Sequence, residues 1–324
     1  MTGFWVGGYT ADDATGGVRR LDAATGMNEV VVATPDPSYL LASPTTDLLY
    51  AVDEGGDAVV ALRDGVVVAR VAAAGSAPCH LSITADGTLL LAACYGDGRV
   101  GVHDLAEDGT PGPARALPDP PPASIGPHPA QDGPHAHSTL ELGDLLLVAD
   151  LGTDRVLVHR RRGADFAFDG AIALPAGSGP RDLLLVPSGP VLVLGEHDAR
   201  IHVLDVAARS VRVSVPTTTD PVRGDQAAGM TLVGRRLTAG LRGSDRIALL
   251  RLDDDGVPEP VDAALTGGTW PRHHAVDGDR LLVANERSGT VTALAFRSDE
   301  SLGSPGPVAR IPSPTFLLAT GGAA

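Results

Sequence analysis

Apolar residues along this chain come in short runs, each broken by a polar turn holding Gly or Asp and followed at once by a second apolar run. The pattern returns. LLYAVDEGGDAVVAL starts at Leu48, LLLAACYGDGRVGVHDL at Leu89, LLLVADLGTDRVLVHRR at Leu145, PVLVLGEHDARIHVLDV at Pro190, RLTAGLRGSDRIALLRL at Arg236 and RLLVANERSGTVTALAF at Arg280. A seventh copy, FWVGGYTADDATGGVRRLD, opens at Phe4. Aligned on the first β-branched residue of the second run, the copies fall at Val18, Val59, Val100, Val156, Ile201, Ile247 and Val291, in steps of 41, 41, 56, 45, 46 and 44 residues. Runs of this length with turn signals between them, and no helical periodicity, predict paired strands. Seven such units predict an all-β fold, a seven-bladed β-propeller, with residues 1–324 as a single domain.

About ten residues before most pairs sits another short apolar segment opened by proline or a small residue: PSYLLAS, PCHLSIT, PHAHSTL, PRDLLLV, AGMTLVG and PRHHAVD. The last of the kind, PTFLLAT from Pro314, has no pair after it, and the first pair has no such segment before it. The C-terminal strand is therefore expected to complete the blade begun by the N-terminus, which removes two open sheet edges. The one long step contains PDPPPASIGPHPAQDGP, residues 118–134, read as a mobile surface rim.

If the proline-led strand lies nearest the axis and runs antiparallel to the next, its start and its neighbour's end share one mouth of the channel. From the starts come Tyr39, His80, His135, His137, Arg181, Arg272 and His273. From the ends come Tyr9, Glu54, Tyr95, Asp150, Glu196, Arg242, Asn285 and Glu286. Ionisable groups scattered along the chain thus converge on one ring, as a site requires.

Composition narrows the function. Gly (40) and Pro (26) are abundant and aromatics few, which fits many strands and turns. The formal charge is −15 and the basic residues are all arginine. This excludes a nucleic-acid footprint and attraction to an acidic membrane surface. No stretch is long and apolar enough to span a bilayer, and the start lacks a basic leader, so a cytoplasmic protein is expected. Cys79 and Cys94 make no disulfide framework; they lie opposite each other only if TADGT closes a two-residue turn, and are expected to be reduced.

YAVDE, PCHL, CYGDGRV, PHAH, DLGTDRV, GPRDLLLV, GEHDARIHV, LRGSDRI, WPRH and VANERSGTV, in this order, resemble the blade signatures of the lactonase family of seven-bladed propellers. That family includes bacterial 6-phosphogluconolactonases and fungal carboxymuconate-cyclising enzymes. The resemblance implies a lactone hydrolase of the 6-phosphogluconolactonase kind, or a cycloisomerase of related chemistry, and makes His137, Arg181, Glu196 and Arg242 the catalytic set. The chain departs from the family pattern at Cys94 before Tyr95, at Asp182 after Arg181 and at GLRG before Ser244.

Lactone hydrolysis needs a base to activate water, donors for the oxyanion and an acid for the departing ring oxygen. His137 or Glu196 is expected as base or acid. Arg181, Arg242 and Arg272 suit substrate anchoring and charge stabilisation, because guanidinium stays protonated and offers a planar fork of donors. His80, Tyr95, His135, Arg272 and Asn285 are the expected substrate contacts, His135 lying nearer solvent with a lesser role. The expected partner is a small anionic lactone or carboxylate, with no cofactor. A structural ion pair with Arg181 is the alternative reading of Glu196. His135 and His137, two apart without a placed third ligand, do not argue for a metal, and none is expected. A non-enzymatic scaffold for a protein partner would lack a dense ring of ionisable groups.

Overall fold

The computed structural model describes residues 3–10, 16–187, 189–297 and 301–321; the turn of the N-terminal copy, residues 11–15, lies outside them. The strands form seven four-stranded sheets arranged as a propeller. Blade 2 shows the plan: Pro78–Ile83 pairs antiparallel with Leu89–Cys94, that with Val100–Leu105, and that with Pro111–Ala116. The innermost strands of the seven blades, Leu40–Ala42, Pro78–Ile83, Ala136–Leu142, Pro180–Leu185, Ala227–Val233, Pro271–Asp277 and Pro314–Ala319, each meet the next around the axis.

Closure runs as the sequence predicts. Pro314–Ala319 pairs with Gly3–Gly8, which leads to Val18–Asp22 and Asn28–Val32, so one blade is built from both ends of the chain. The expected proline-led strand of blade 1 is shorter than read: only Leu40–Ala42 is extended, although the Tyr39 carbonyl still accepts the Val52 amide at 3.1 Å.

Burial explains why the pairs read as continuous apolar runs rather than as alternating ones. The second strands Leu49–Asp53, Leu89–Cys94 and Val191–Gly195 are buried at every position, because each blade is packed on both faces by its neighbours. The outermost strand Val66–Ala72 has one neighbouring strand and is mostly exposed. The hydrophobic core is accordingly divided into seven clusters, each shared by two adjacent blades. Removing a large side chain from one layer should cost about 2–5 kcal/mol, as in any close-packed core.

The cysteines are reduced and unpaired as expected, and one expectation about a loop is corrected. Cys94 stands opposite Pro78, and Cys79 is left unpaired by an irregularity in its strand, so the cysteines are not cross-strand partners; both are buried and free. The 118–134 insertion is docked rather than a loose rim. Gln131, 0% exposed, donates from Nε2 to the Leu151 carbonyl and to Asp154 Oδ1, both at 2.7 Å. The Gly126 amide donates to the Gly152 carbonyl at 2.9 Å, and the His128 ring stacks on His197 with centroids 3.8 Å apart. Buried polar groups find partners this way because leaving them unpaired is costly.

Candidate functional site at the channel mouth

In six blades the pairing of the innermost strand slips near its start, leaving a residue without a partner across the ladder. These residues are Cys79, His137, Arg181, Ala228 with Gly229, Arg272 and Thr315. A bulge re-aims a side chain out of the regular alternation. Here all of them line one axial cavity of about 140 Å³. The residue that follows each bulge lines it too, one step deeper: His80, Ser138, Asp182, Met230, His273 and Phe316, with Tyr39 from blade 1.

The next strand of each blade ends at the same mouth. From blade 4 comes Glu196, whose backbone amide donates to the Gly179 carbonyl at 2.8 Å. Its Oε2 takes a hydrogen bond from Arg181 Nη1, and Arg242 Nη2 lies 2.8 Å from its Oε1. Backbone carbonyls of blade 5 hold both guanidinium groups from behind. Arg181 Nε donates to Ala228 at 2.6 Å and Arg242 Nη2 to Ala227 at 3.0 Å. Burial pulls the Glu196 carboxyl toward neutrality, yet the two arginines overcome it and hold its pKa well below the usual carboxylate range.

His137 is 9% exposed, and its ring makes no hydrogen bond among the described residues. Burial, with the nearby Arg181 charge, keeps its pKa well below that of a free histidine. It is therefore neutral at pH 7. Its ring stands edge-on to Tyr95, centroids 6.1 Å apart.

A second cluster faces this one from blades 6, 7 and 1. Tyr9 donates from its hydroxyl to Glu54 Oε2 at 3.1 Å, and Ser38 Oγ donates to the same oxygen. Arg272 Nη2 donates to the Tyr9 hydroxyl at 2.9 Å, and its Nε lies 3.8 Å from Glu286.

Of the nine residues expected at the site, His80, His137, Arg181 and Arg272 line the cavity, while Glu196 and Arg242 meet beside it. Tyr95 and His135 are linked to each other. Their rings stack at 4.3 Å, His135 Nδ1 lies 2.6 Å from the Tyr95 carbonyl oxygen and its Nε2 lies 2.9 Å from Asp132. At 6% exposed, His135 is not the more solvent-facing of the pair, which corrects the expectation. Asn285 ends its strand at the mouth, but its side chain does not line the cavity: it donates to Thr292 Oγ1 at 2.9 Å, inside its own blade. Asp150 is likewise occupied in its turn, taking the His135 amide at 3.0 Å. Sequence reading missed Ser38, Met230 and Phe316 in the cavity wall, and Trp270, over which the Arg242 guanidinium lies at 5.1 Å. The usable signal was the step from the strand's first residue to its second: PC, AH, PR, AA, PR and PT all place the second at the bulge. Among the described residues, no group of three or more His, Cys, Asp or Glu is placed to hold a metal ion.

The ionisable side chains of this seven-bladed propeller are thus gathered at one end of its axis. The family described as "Lactonase, 7-bladed beta-propeller" matches residues 3–318, and the chain belongs to it. A 6-phosphogluconolactonase of Bacillus subtilis is 24% identical over 289 residues, covering 83% of this chain and 82% of that protein. Among solved structures, a periplasmic gluconolactonase of Pseudomonas aeruginosa superposes with a TM-score of 0.87 at 24% identity, over 98% of both chains. A protein from Lactobacillus plantarum superposes with a TM-score of 0.86 at 26% identity, over 98% of this chain and 99% of that one. A relative of this fold is named periplasmic, so the fold does not itself fix the compartment. Among the described residues no helix is long and apolar enough to cross a membrane.

Proposed function

We propose that the protein hydrolyses a sugar lactone at this mouth, with His137 as the proton-transfer group. The observation that carries the reading is a neutral, unbonded imidazole open to the cavity beside a carboxylate that two arginines already hold. A carboxylate so stabilised is a poor proton acceptor. This supports His137 as base and leaves Glu196 to orient Arg181 and Arg242.

In the proposed reaction His137 takes a proton from water as the water oxygen bonds to the lactone carbonyl carbon. The carbonyl electrons move to oxygen, where free N–H groups of Arg181 stabilise the charge. Collapse breaks the bond from that carbon to the ring oxygen. His137 returns its proton to the ring oxygen, giving a hydroxy acid.

The test is a panel of sugar lactones, phosphorylated and not, with muconates alongside, followed by acid release. Lactone opening with release of acid, reduced about 100-fold or more in a folded His137→Ala protein, is expected for loss of a proton-transfer group. Turnover of muconates instead would place the chemistry with cyclisation. Wild-type rates in His137→Ala would remove His137 from the mechanism.

A further inference from the structure

Arg181, Arg242 and the partly buried Arg272 at the mouth each already have a carboxylate beside them. Arg181 and Arg242 share Glu196, and Arg272 faces Glu286 and reaches Glu54 through the Tyr9 hydroxyl. A step deeper, Asp182 adds a further acidic group to the cavity wall. Its Oδ2 takes the Met230 amide at 2.8 Å, and it has no ion pair among the described residues. The lining therefore carries no surplus of positive charge, and the chain around it is at −15.

Paired arginines are not inert. Arg181 Nη2 and Arg272 Nη1 have no hydrogen-bond partner among the described residues, while both side chains line the cavity. Such donors polarise a carbonyl and stabilise charge as it develops, without the net charge needed to capture a dianion beforehand. A bound phosphate would find only these remaining N–H groups, on guanidinium groups whose charge Glu196 and Glu286 already offset.

We propose that the substrate is a neutral polyhydroxylated lactone, held by hydrogen bonds from its hydroxyls to Asp182 and His80, and that Asp182 sets the preference against a phosphorylated one. This rests on the lactone-hydrolase reading above. It departs from the sequence expectation of an anionic substrate for a structural reason: every arginine that was to attract the anion already has a carboxylate offsetting its charge. The rival is a phosphate subsite at the rim, where exposed Arg287 lies 3.3 Å from the Trp270 ring centroid with no carboxylate partner among the described residues.

The experiment compares kcat/KM for gluconolactone and 6-phosphogluconolactone in wild type, Asp182→Asn and Arg287→Ala, each checked for folding by thermal melt. Wild type should favour gluconolactone by at least about tenfold. Asp182→Asn should raise KM for gluconolactone and move the ratio about tenfold toward the phosphorylated substrate, with kcat changed less. Arg287→Ala should leave the ratio in place. A wild-type preference for 6-phosphogluconolactone, a ratio unmoved by folded Asp182→Asn, or loss of phosphorylated turnover alone in Arg287→Ala would overturn the assignment. Binding supplies an arm independent of turnover. Millimolar inorganic phosphate should not raise the wild-type melting temperature; a rise that Arg272→Ala or Arg287→Ala abolishes would sink the neutral-substrate proposal even if no lactone is hydrolysed. Absence of turnover on the whole panel, with phosphate also silent, would count against the lactone-hydrolase reading and this inference with it.

Discussion

His137 and Glu196, from neighbouring blades, are held in different charge states by their surroundings. His137 is kept neutral by burial, and Glu196 is kept ionised by Arg181 and Arg242. Glu196→Gln keeps the shape but removes the charge, so two buried guanidinium groups lose their counter-ion. The variant is expected to lose turnover about tenfold or more while also melting lower, whereas a substitution that removes only a proton-transfer group leaves the melt in place. His135→Ala is the contrast. Its ring stacks on Tyr95 and meets Asp132 rather than the cavity, so stability should fall and turnover much less. Steady-state kinetics beside melts separate the cases, and a His135→Ala protein as slow as His137→Ala would show the two roles wrongly divided. The residue types of this site were legible in the sequence, since repeats brought His137, Arg181, Glu196 and Arg242 to one end of their blades. The bulge was not. It depends on pairing across strands, and so a two-residue histidine spacing looked like simple alternation when the extra residue turns His137 into the channel.

At the scale of elements, strands were read more accurately than the one long loop. Strand pairs announce themselves by apolar runs that must be buried on both faces, but a proline-rich segment with few apolar residues carries no periodic signal of where it packs. The polar residue Gln131 provides the anchoring of the 118–134 loop, and Gly152 the close approach: a Cβ there would sit 1.6 Å from the Gly133 carbonyl oxygen. Gly152→Ala must therefore push the loop away from the turn after Asp150, next to the His135 ring. The expected result is a lower melting temperature and new proteolytic cleavage within 118–134, with the rest of the propeller intact. Equal protease resistance in wild type and variant would show that the loop's docking does not depend on this contact.

Across the whole molecule, stability is spread over seven interblade layers and closed by pairing the chain's two ends, a topology the missing partner strands at either end had foretold. The axis is different, since it collects buried histidines that the apolar layers do not need. Burial lowers His80 to about 4 and His273 to about 3 at the axial cavity, with His137 also well below its ordinary value of 6.5, and it lowers His274, which meets Thr238 of the neighbouring blade, to about 4. An unfolded chain would protonate these groups as pH falls through about 6.5, before the folded protein does, so stability must drop with acid over that window. Asp182 works the other way. Burial raises it to about 6 from 3.8, so the folded state takes up its proton first and gains stability as pH falls. One carboxyl opposes several histidines, and relief of the −15 self-repulsion begins only where ordinary carboxylates titrate, near pH 4. The melting temperature is therefore expected to fall by at least about 5 °C between pH 7 and pH 5. His80→Phe should blunt that fall, because His80 Nδ1 has no hydrogen bond to lose and its ring already packs against Tyr39 with centroids 4.6 Å apart. A melting temperature that stays level or rises from pH 7 to pH 5 would mean that the axial histidines are hydrated and free to titrate, and that the channel is wetter and more open than its packing implies.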